Sequence, residues 1–148
     1  MTKILFVCHG NICRSPMAEF IMKHICAQKG YDFEIASAAT STEEIGNPVY
    51  PPAKKELNKH GIDCTGKTAR QMTKQDYDYY DYIVAMDRFN LRNMIKFVGN
   101  DPKNKVSLLM SYTDRPGDVA DPWYTEDFET TWNDVYEGCS KLLEYINK

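Results

Sequence analysis

The chain has 148 residues, of which 43% are hydrophobic and 26% are charged, proportions that are ordinary for a globular protein. Its net charge of −3 lacks the strong basic field on which nucleic-acid-binding proteins and proteins held on anionic membranes depend, so we expect neither partner. This length is sufficient for a hydrophobic core, and we predict a single domain over residues 1–148.

The cysteine count and the N-terminal residues bear on the cellular compartment. Five cysteines, an odd number without paired spacing, are typical of a protein kept in a reducing environment. The first residues lead directly into an apolar run without a signal-like segment, and no apolar segment approaches membrane-spanning length. We therefore expect a cytoplasmic protein, and we expect it to be a monomer.

Strands and helices alternate in the first half of the chain. The apolar run 4–7 predicts a short buried strand. A helical pattern from 17 to about 29 predicts the first helix, with Pro16 in its first turn and Gly30 at its end. The next predicted elements are a second strand at 33–38, a polar loop at 40–52 and a helix at 52–60.

The alternation continues in the second half. A short helix is predicted at 73–77, and the tyrosine-rich run 76–82 predicts a turn that leads into a third strand at 82–85. Asp87 is predicted to cap a helix, and a fourth strand is predicted at 106–110. The residues expected to face inward from the capped helix are Leu91, Met94, Ile95 and Val98. The last helix has an apolar stripe formed by Phe128, Trp132, Val135, Cys139, Leu142, Leu143 and Ile146.

This order of elements predicts an α/β fold, a three-layer sandwich in which a four-stranded parallel sheet carries helices on both faces. Ligands of such sheets bind at the carboxyl ends of the strands. Cys8 follows the first strand at that edge, and Asp121 follows the fourth strand, so the two side chains can meet there.

Residues 8–15, Cys-His-Gly-Asn-Ile-Cys-Arg-Ser, connect the first strand to the first helix. The N–H groups of such a loop converge on a small volume, and together with the helix dipole they favour an oxyanion such as phosphate. Gly10 allows a turn where a side chain would clash. Arg14 can hold two phosphoryl oxygens, and we expect Cys8, beside this cation, to be a thiolate near neutral pH. Ser15 lies within reach of the sulfur, and the loop as a whole indicates attack on phosphorus.

Two segments resemble a known family. The run Val-Cys-His-Gly-Asn-Ile-Cys-Arg-Ser-Pro-Met-Ala-Glu at 7–19 strongly resembles the signature loop of the low-molecular-weight protein tyrosine phosphatases. Asp-Pro-Trp-Tyr at 121–124 resembles their second signature, and chain length and element order fit end to end. The resemblance implies a hydrolase that acts on phosphotyrosine-containing proteins through a cysteinyl phosphate.

Three residues match the family's catalytic roles one by one. Cys8 corresponds to the nucleophile, Arg14 to the phosphate clamp, and Asp121 to the acid that protonates the departing phenolate and later activates water. Trp123 and Tyr124, next to Asp121, are expected to shield the site and flank an aromatic ring. His9, His24 and His60 show no zinc-ligand spacing, and we expect no metal and no other cofactor.

Supporting roles are predicted for other residues in and near the loop. Asn11 resembles the family asparagine that holds the loop in its strained shape, and Ser37 either braces the loop or lies in solvent. Ile12 is expected at the rim, where an apolar side chain suits a phenyl ring. Cys13 either packs in the core or, as the family resemblance favours, resolves an oxidised Cys8 as a disulfide.

Two departures from the family pattern bear on substrate preference. His9 stands where an aliphatic residue is more common; it either adds positive charge near the thiolate or lines the rim. The loop 41–44 lacks the aromatic residue that often forms one wall of the cleft, and Tyr50 is a candidate replacement.

Four other functions compete with a tyrosine phosphatase. An arginine phosphatase of the same family is the nearest, although those enzymes carry threonine where this chain has Ile12. A thiol-dependent arsenate reductase would need two further relay cysteines, and Met86 stands where one is expected. A phosphotyrosine-binding module without catalysis would not need Cys8, Arg14 and Asp121 together. A dinucleotide-binding domain would need a glycine triplet that the loop lacks.

Overall fold

A four-stranded, all-parallel β-sheet forms the centre of the computed structural model, which describes residues Met1–Lys148. The strands lie in the order β2-β1-β3-β4. They are β1 (Lys3–Cys8), β2 (Glu34–Ala39), β3 (Tyr82–Ala85) and β4 (Val106–Leu108). The helices are α1 (Arg14–Lys29), α2 (Pro51–Lys59), α3 (Lys74–Tyr79), α4 (Arg88–Val98), α5 (Pro122–Thr125) and α6 (Phe128–Ile146), with a 3-10 turn at Leu109–Tyr112.

Strand β1 is central, and its apolar run separates two hydrophobic cores. Successive side chains of a strand point to opposite faces. Ile4 and Phe6 accordingly belong to the larger core, which β1 shares with α1, α2 and α6. Leu5 and Val7 belong to a smaller core under α3 and α4. Helices therefore cover both faces of the sheet, and the predicted three-layer α/β fold is confirmed.

Helix α6 follows the predicted stripe most closely. Five of the seven stripe residues are buried in the larger core, and the two end residues pack partly against it. Gly138 lies on the same helix, where a Cβ atom would stand 2.5 Å from Leu109 Cγ. The absence of a side chain at Gly138 thus allows α6 to approach the 3-10 turn closely. No helix of the chain combines the length and the apolarity that crossing a bilayer requires.

The end of the fourth strand and the extent of α3 differ from the prediction. The fourth strand ends at Leu108, because its only neighbour, β3, ends at Ala85, the partner of Leu108. Leu109 and Met110 therefore enter the 3-10 turn. The tyrosine-rich run contributes residues up to Tyr79 to α3, which Thr73 caps together with Asp76, so only its end is a turn.

The inward face of α4 also differs from the prediction. Ile95 is 57% exposed, whereas Met94 and Val98 are buried as expected and Leu91 is partly buried. Asn90 takes the remaining inward position, where its side chain accepts hydrogen bonds from the backbone N–H groups of residues 86 and 87. The buried face of α4 is thus centred on Asn90, Met94 and Val98, and Ile95 lies outside it.

Candidate active site

The loop between β1 and α1 surrounds the sulfur of Cys8, the last residue of β1. The backbone N–H of Asn11 donates to Cys8 Sγ over 3.4 Å, and Ser15 Oγ lies 2.9 Å from the same sulfur. Helix α1 begins at Arg14, three residues earlier than predicted, and its N-cap, Cys13, makes no side-chain capping bond. The N–H groups of the first turn are thus available to an anion, whose negative charge the helix dipole favours.

Arg14 is buried beside this loop, with its guanidinium held from two sides. Its Nη1 donates to Asp87 Oδ2 over 2.7 Å and to the carbonyl of Val119 over 2.8 Å. Its Nη2 lies 3.5 Å from Asp121 Oδ2. Burial alone would lower the pKa of Arg14, but the negative charges of Cys8, Asp87 and Asp121 raise it above its ordinary value. The Arg14 side chain therefore stays protonated, and its hydrogen bonds hold the guanidinium in one orientation.

The shape of the loop depends on Asn11, which adopts a left-handed backbone conformation with φ of 60°. Its Nδ2 donates to Ser15 Oγ over 2.8 Å and to Ser37 Oγ over 2.9 Å. Its Oδ1 accepts the backbone N–H of Arg70 over 3.2 Å. Ser37 is fully buried beneath the loop rather than solvated. The Asn11 carboxamide thus ties the loop to β2 and to the segment after α2.

Glu19 extends this network, although it is not among the site residues predicted from the sequence. Ser37 Oγ donates to Glu19 Oε1 over 2.6 Å, and Lys23 Nζ donates to Glu19 Oε2 over 2.6 Å. Lys67 Nζ lies 3.5 Å from Glu19 Oε1 and donates to the Ser37 carbonyl over 3.0 Å. Burial lowers the pKa of Lys67, while Glu19 opposes that shift. Hydrogen bonds therefore run without interruption from the Cys8 sulfur, through Ser15, Asn11 and Ser37, to this carboxylate.

Asp121 stands across a cavity of about 250 Å³ whose floor is Cys8 and Arg14. It is the N-cap of α5, a short helix that is absent from the sequence prediction, and its Oδ1 accepts the Trp123 N–H over 3.0 Å. The Asp121 side chain is 29% exposed, so the carboxyl group borders both the cavity and solvent. The edge of the sheet thus brings Cys8 and Asp121 together.

The two walls of the cavity differ in character. Trp123 and Tyr124, which are 51% and 82% exposed, line one side. Tyr50 supports this wall, because its ring centroid lies 5.0 Å from that of Trp123 and its N–H donates to the Ile12 carbonyl over 2.9 Å. Ile12 itself lines the cavity.

Carboxylates form the second wall, where the family often has an aromatic ring. Glu44 Cγ lies 3.4 Å from the position of a Cβ atom on Gly10, and its carboxylate accepts from Asn47 Nδ2 over 2.5 Å. His9 lies at the rim, with Nε2 2.9 Å from Glu43 Oε2, and both side chains are about half or more exposed. The candidate replacement Tyr50 stays on the opposite, aromatic side.

Cys13 lines the same cavity but differs chemically from Cys8. It is 6% exposed. Burial, with the nearby negative charges of Cys8 and Asp121, raises the pKa of the Cys13 thiol to about 12. Cys13 is therefore a neutral thiol at physiological pH, close to the Cys8 sulfur that the Asn11 N–H and the Ser15 hydroxyl contact.

Known proteins are similar to this chain in both sequence and fold. Residues 3–148 match the family model described as low molecular weight phosphotyrosine protein phosphatase. The chain is 40% identical over 152 residues to the low molecular weight protein-tyrosine-phosphatase YfkJ of Bacillus subtilis, covering 100% of this chain and 97% of that protein. It is 38% identical over 150 residues to PtpA of Staphylococcus aureus, covering 100% of this chain and 96% of that protein.

Two solved structures illustrate the range of the likeness. The crystal structure of YfkJ from Bacillus subtilis has a TM-score of 0.95 and 38% identity, covering 99% of this chain and 95% of that chain. The Drosophila arginine phosphatase has a TM-score of 0.89 and 30% identity, covering 99% of each chain.

Proposed function

The chain belongs to the low molecular weight phosphotyrosine protein phosphatase family, and on that premise we propose that it hydrolyses phosphotyrosine in proteins through a cysteinyl-phosphate intermediate. One observation carries the proposal. The Cys8 sulfur, which accepts the Asn11 N–H, shares with the buried Arg14 guanidinium the floor of a cavity that Asp121 borders.

The first step is transfer of the phosphoryl group to sulfur. The Cys8 thiolate attacks phosphorus, an S–P bond forms, and the bond from phosphorus to the tyrosine oxygen breaks. Arg14 and the loop N–H groups hold the phosphoryl oxygens, on which negative charge is concentrated. Asp121, protonated, gives its proton to the departing phenolate, so that neutral tyrosine leaves.

The second step returns the enzyme to its starting state. Asp121, now a carboxylate, accepts a proton from water, and the resulting nucleophile attacks phosphorus. The S–P bond breaks, phosphate leaves and Cys8 is a thiolate again. The hydroxyl of Ser15, 2.9 Å from the sulfur, donates a hydrogen bond to the leaving thiolate.

The remaining residues position the reactants. Asn11 and Ser37 hold the loop through the buried hydrogen bonds, while Ile12, Trp123 and Tyr124 supply apolar surface for the phenyl ring. Substitution of Cys8 tests the nucleophile directly. Cys8→Ser keeps the shape of the side chain but replaces the thiolate with a neutral hydroxyl, so turnover of p-nitrophenyl phosphate should fall below about a thousandth of wild type.

Phosphoarginine is a second candidate substrate, and Glu44 favours it. Its half-buried carboxylate faces the cavity and is held by an amide rather than by a cation, so it can pair with a guanidinium. Ile12 opposes this reading, because an isoleucine offers no hydrogen bond to a polar leaving group. Hydrolysis of phosphotyrosine and phosphoarginine peptides without added metal decides between them, and equal kcat/KM would overturn the tyrosine assignment.

Replacing Ile12 tests the same choice between phosphotyrosine and phosphoarginine by changing the protein instead of the substrate. Threonine is β-branched like isoleucine and only one heavy atom smaller, so the loop should survive Ile12→Thr. We expect the preference for phosphotyrosine over phosphoarginine to narrow by at least about tenfold, or ~1.4 kcal/mol in transition-state binding. An unchanged ratio would show that Ile12 does not determine the substrate.

The proposal also includes the substrates, the cellular compartment and the oligomeric state of the enzyme. Phosphotyrosine-containing proteins are its substrates, and it acts in the cytoplasm as a single-domain monomer. All five cysteines are free thiols, which supports a reducing compartment. Both hydrophobic cores share one sheet, which supports a single domain. Light scattering of the purified protein tests the monomer.

A further inference from the structure

A second groove, of about 430 Å³, adjoins the catalytic cavity. It lies between the start of α4 and the segment 118–124, and it shares His9, Asp121 and Tyr124 with the cavity. A chain that leaves the catalytic cavity past Tyr124 therefore enters the groove. Hydrolysis of an isolated aryl phosphate requires only the first of the two spaces.

Two aromatic side chains line the groove and are largely in solvent. Phe89 is 65% exposed and Tyr124 is 82% exposed. Aromatic side chains of this kind are enriched at interfaces, because burying them releases a large apolar area from water. The exposed carboxamide of Asn93, also in the lining, offers one donor group and one acceptor group to a peptide backbone.

The charged groups of the groove are already paired. Asp87 and Asp121 both contact Arg14, and Asp118 accepts the Arg88 N–H over 3.1 Å and lies 3.5 Å from Arg88 Nε. A cation from a ligand would therefore compete with existing partners. An acidic ligand would meet three carboxylates and be repelled. The occupant that this lining favours is uncharged and apolar.

We propose that this groove binds an apolar side chain adjacent to phosphotyrosine in a polypeptide substrate, against Phe89 and Tyr124. The inference rests on the proposed function, since it assumes a phosphotyrosine in the catalytic cavity. Consecutive Cα atoms are 3.8 Å apart, so a residue next to phosphotyrosine is near enough to extend its side chain across the boundary that His9, Asp121 and Tyr124 form. Asn93 then bonds to the backbone of the same segment.

Peptides that differ at one position test the proposal. Phosphotyrosine peptides carrying leucine, serine, lysine or glutamate immediately before or after phosphotyrosine are compared by kcat/KM, with p-nitrophenyl phosphate for normalisation. At one of the two positions, leucine should exceed serine by at least about fivefold, and glutamate should be the poorest. Phe89→Ala should reduce the leucine-to-serine ratio to about one.

Ile95→Ala provides the matched control. Ile95 is an exposed apolar residue of the same helix, 57% exposed, but it lies outside the groove. The leucine-to-serine ratio should not change in this variant. Three results would each overturn the proposal for the groove and leave the proposed function intact. They are equal kcat/KM for all four neighbouring residues, a preference for lysine over leucine, and an unchanged leucine-to-serine ratio in Phe89→Ala. Hydrolysis of p-nitrophenyl phosphate without hydrolysis of any phosphotyrosine peptide would overturn the proposed function as well.

Discussion

Asp87 uses its two carboxylate oxygens for different tasks, and one of them holds Arg14. Oδ2 accepts from Arg14 Nη1 over 2.7 Å, while Oδ1 accepts the Asn90 N–H over 2.8 Å and caps α4. The direction of the Arg14 guanidinium is thus tied to the start of a helix on the opposite face of the sheet from α1.

Asp87→Asn should separate these two tasks. Asparagine is also a good helix cap, so α4 should remain folded, but the charge-assisted bond to Arg14 is lost. We expect kcat/KM for an aryl phosphate to fall by about 10- to 100-fold, which corresponds to ~1.5–3 kcal/mol for a hydrogen bond to a charged group. Asp127→Asn, at the cap of α6, is the control and should not reduce activity comparably. Equal losses in both variants would assign the effect to capping alone.

Asp121→Asn should lower activity in a way that depends on the leaving group. An acid matters only when the departing oxygen is basic, so the loss should be greatest for phenols of high pKa and smallest for activated phenols. A series of substituted aryl phosphates measures this dependence as a slope of log(kcat/KM) against leaving-group pKa. The same loss for every member of the series would show that Asp121 has another role.

Oxidation by peroxide should be reversible through Cys13. Since the pKa of Cys13 is raised to about 12, this thiol stays protonated, and peroxide should oxidise Cys8 first, to a sulfenic acid. Cys13 then attacks the oxidised sulfur, a disulfide forms and water leaves; a thiol reductant restores both thiols. Peroxide-treated wild type should recover its activity with dithiothreitol, whereas Cys13→Ser should not. Equal recovery of the two proteins would contradict a resolving role.

Asp101 should make folding stability depend on pH. Partial burial opposes ionisation, but hydrogen bonds from Tyr77 and from the N–H groups of Lys105 and Val106 lower the pKa of Asp101 below its ordinary value of 3.8. The unfolded chain therefore takes up the proton first as the pH falls, and this contribution to stability, complete above about pH 5, is lost as the pH falls through the folded pKa.

Asp101→Asn checks that dependence. Asn tolerates the left-handed conformation of this position, φ of 56°, so the backbone should be unaffected. We expect the free energy of unfolding at pH 7 to fall by ~1–2 kcal/mol and the difference from wild type to shrink toward pH 3. Urea unfolding across this range measures both, with the exposed Asp32→Asn as control. A difference that does not vary with pH would rule out the ionised carboxylate as its source.

The sequence was informative where a residue's role follows from local geometry. The α/β fold and the family were predicted correctly, since strand and helix periods are local and the sheet-edge rule brings Cys8 and Asp121 together. Glu19 was not predicted as a site residue, because its partners Ser37 and Lys67 come from other parts of the chain. Only its pairing with Lys23, four residues later on the same helix, follows from local spacing. Ile95 was predicted wrongly because helical period alone does not show that Asn90 occupies the inner face.

The dependence of Asn11 on distant partners has a consequence for the order of folding. Its side chain bonds to Ser37 and Arg70, which are 26 and 59 positions away in the chain. A left-handed asparagine is unfavourable without such support, so the loop cannot hold its native shape in a chain whose helices alone have formed. During refolding, activity should therefore return only after β2 and the segment around Arg70 have docked, later than the helical circular dichroism signal.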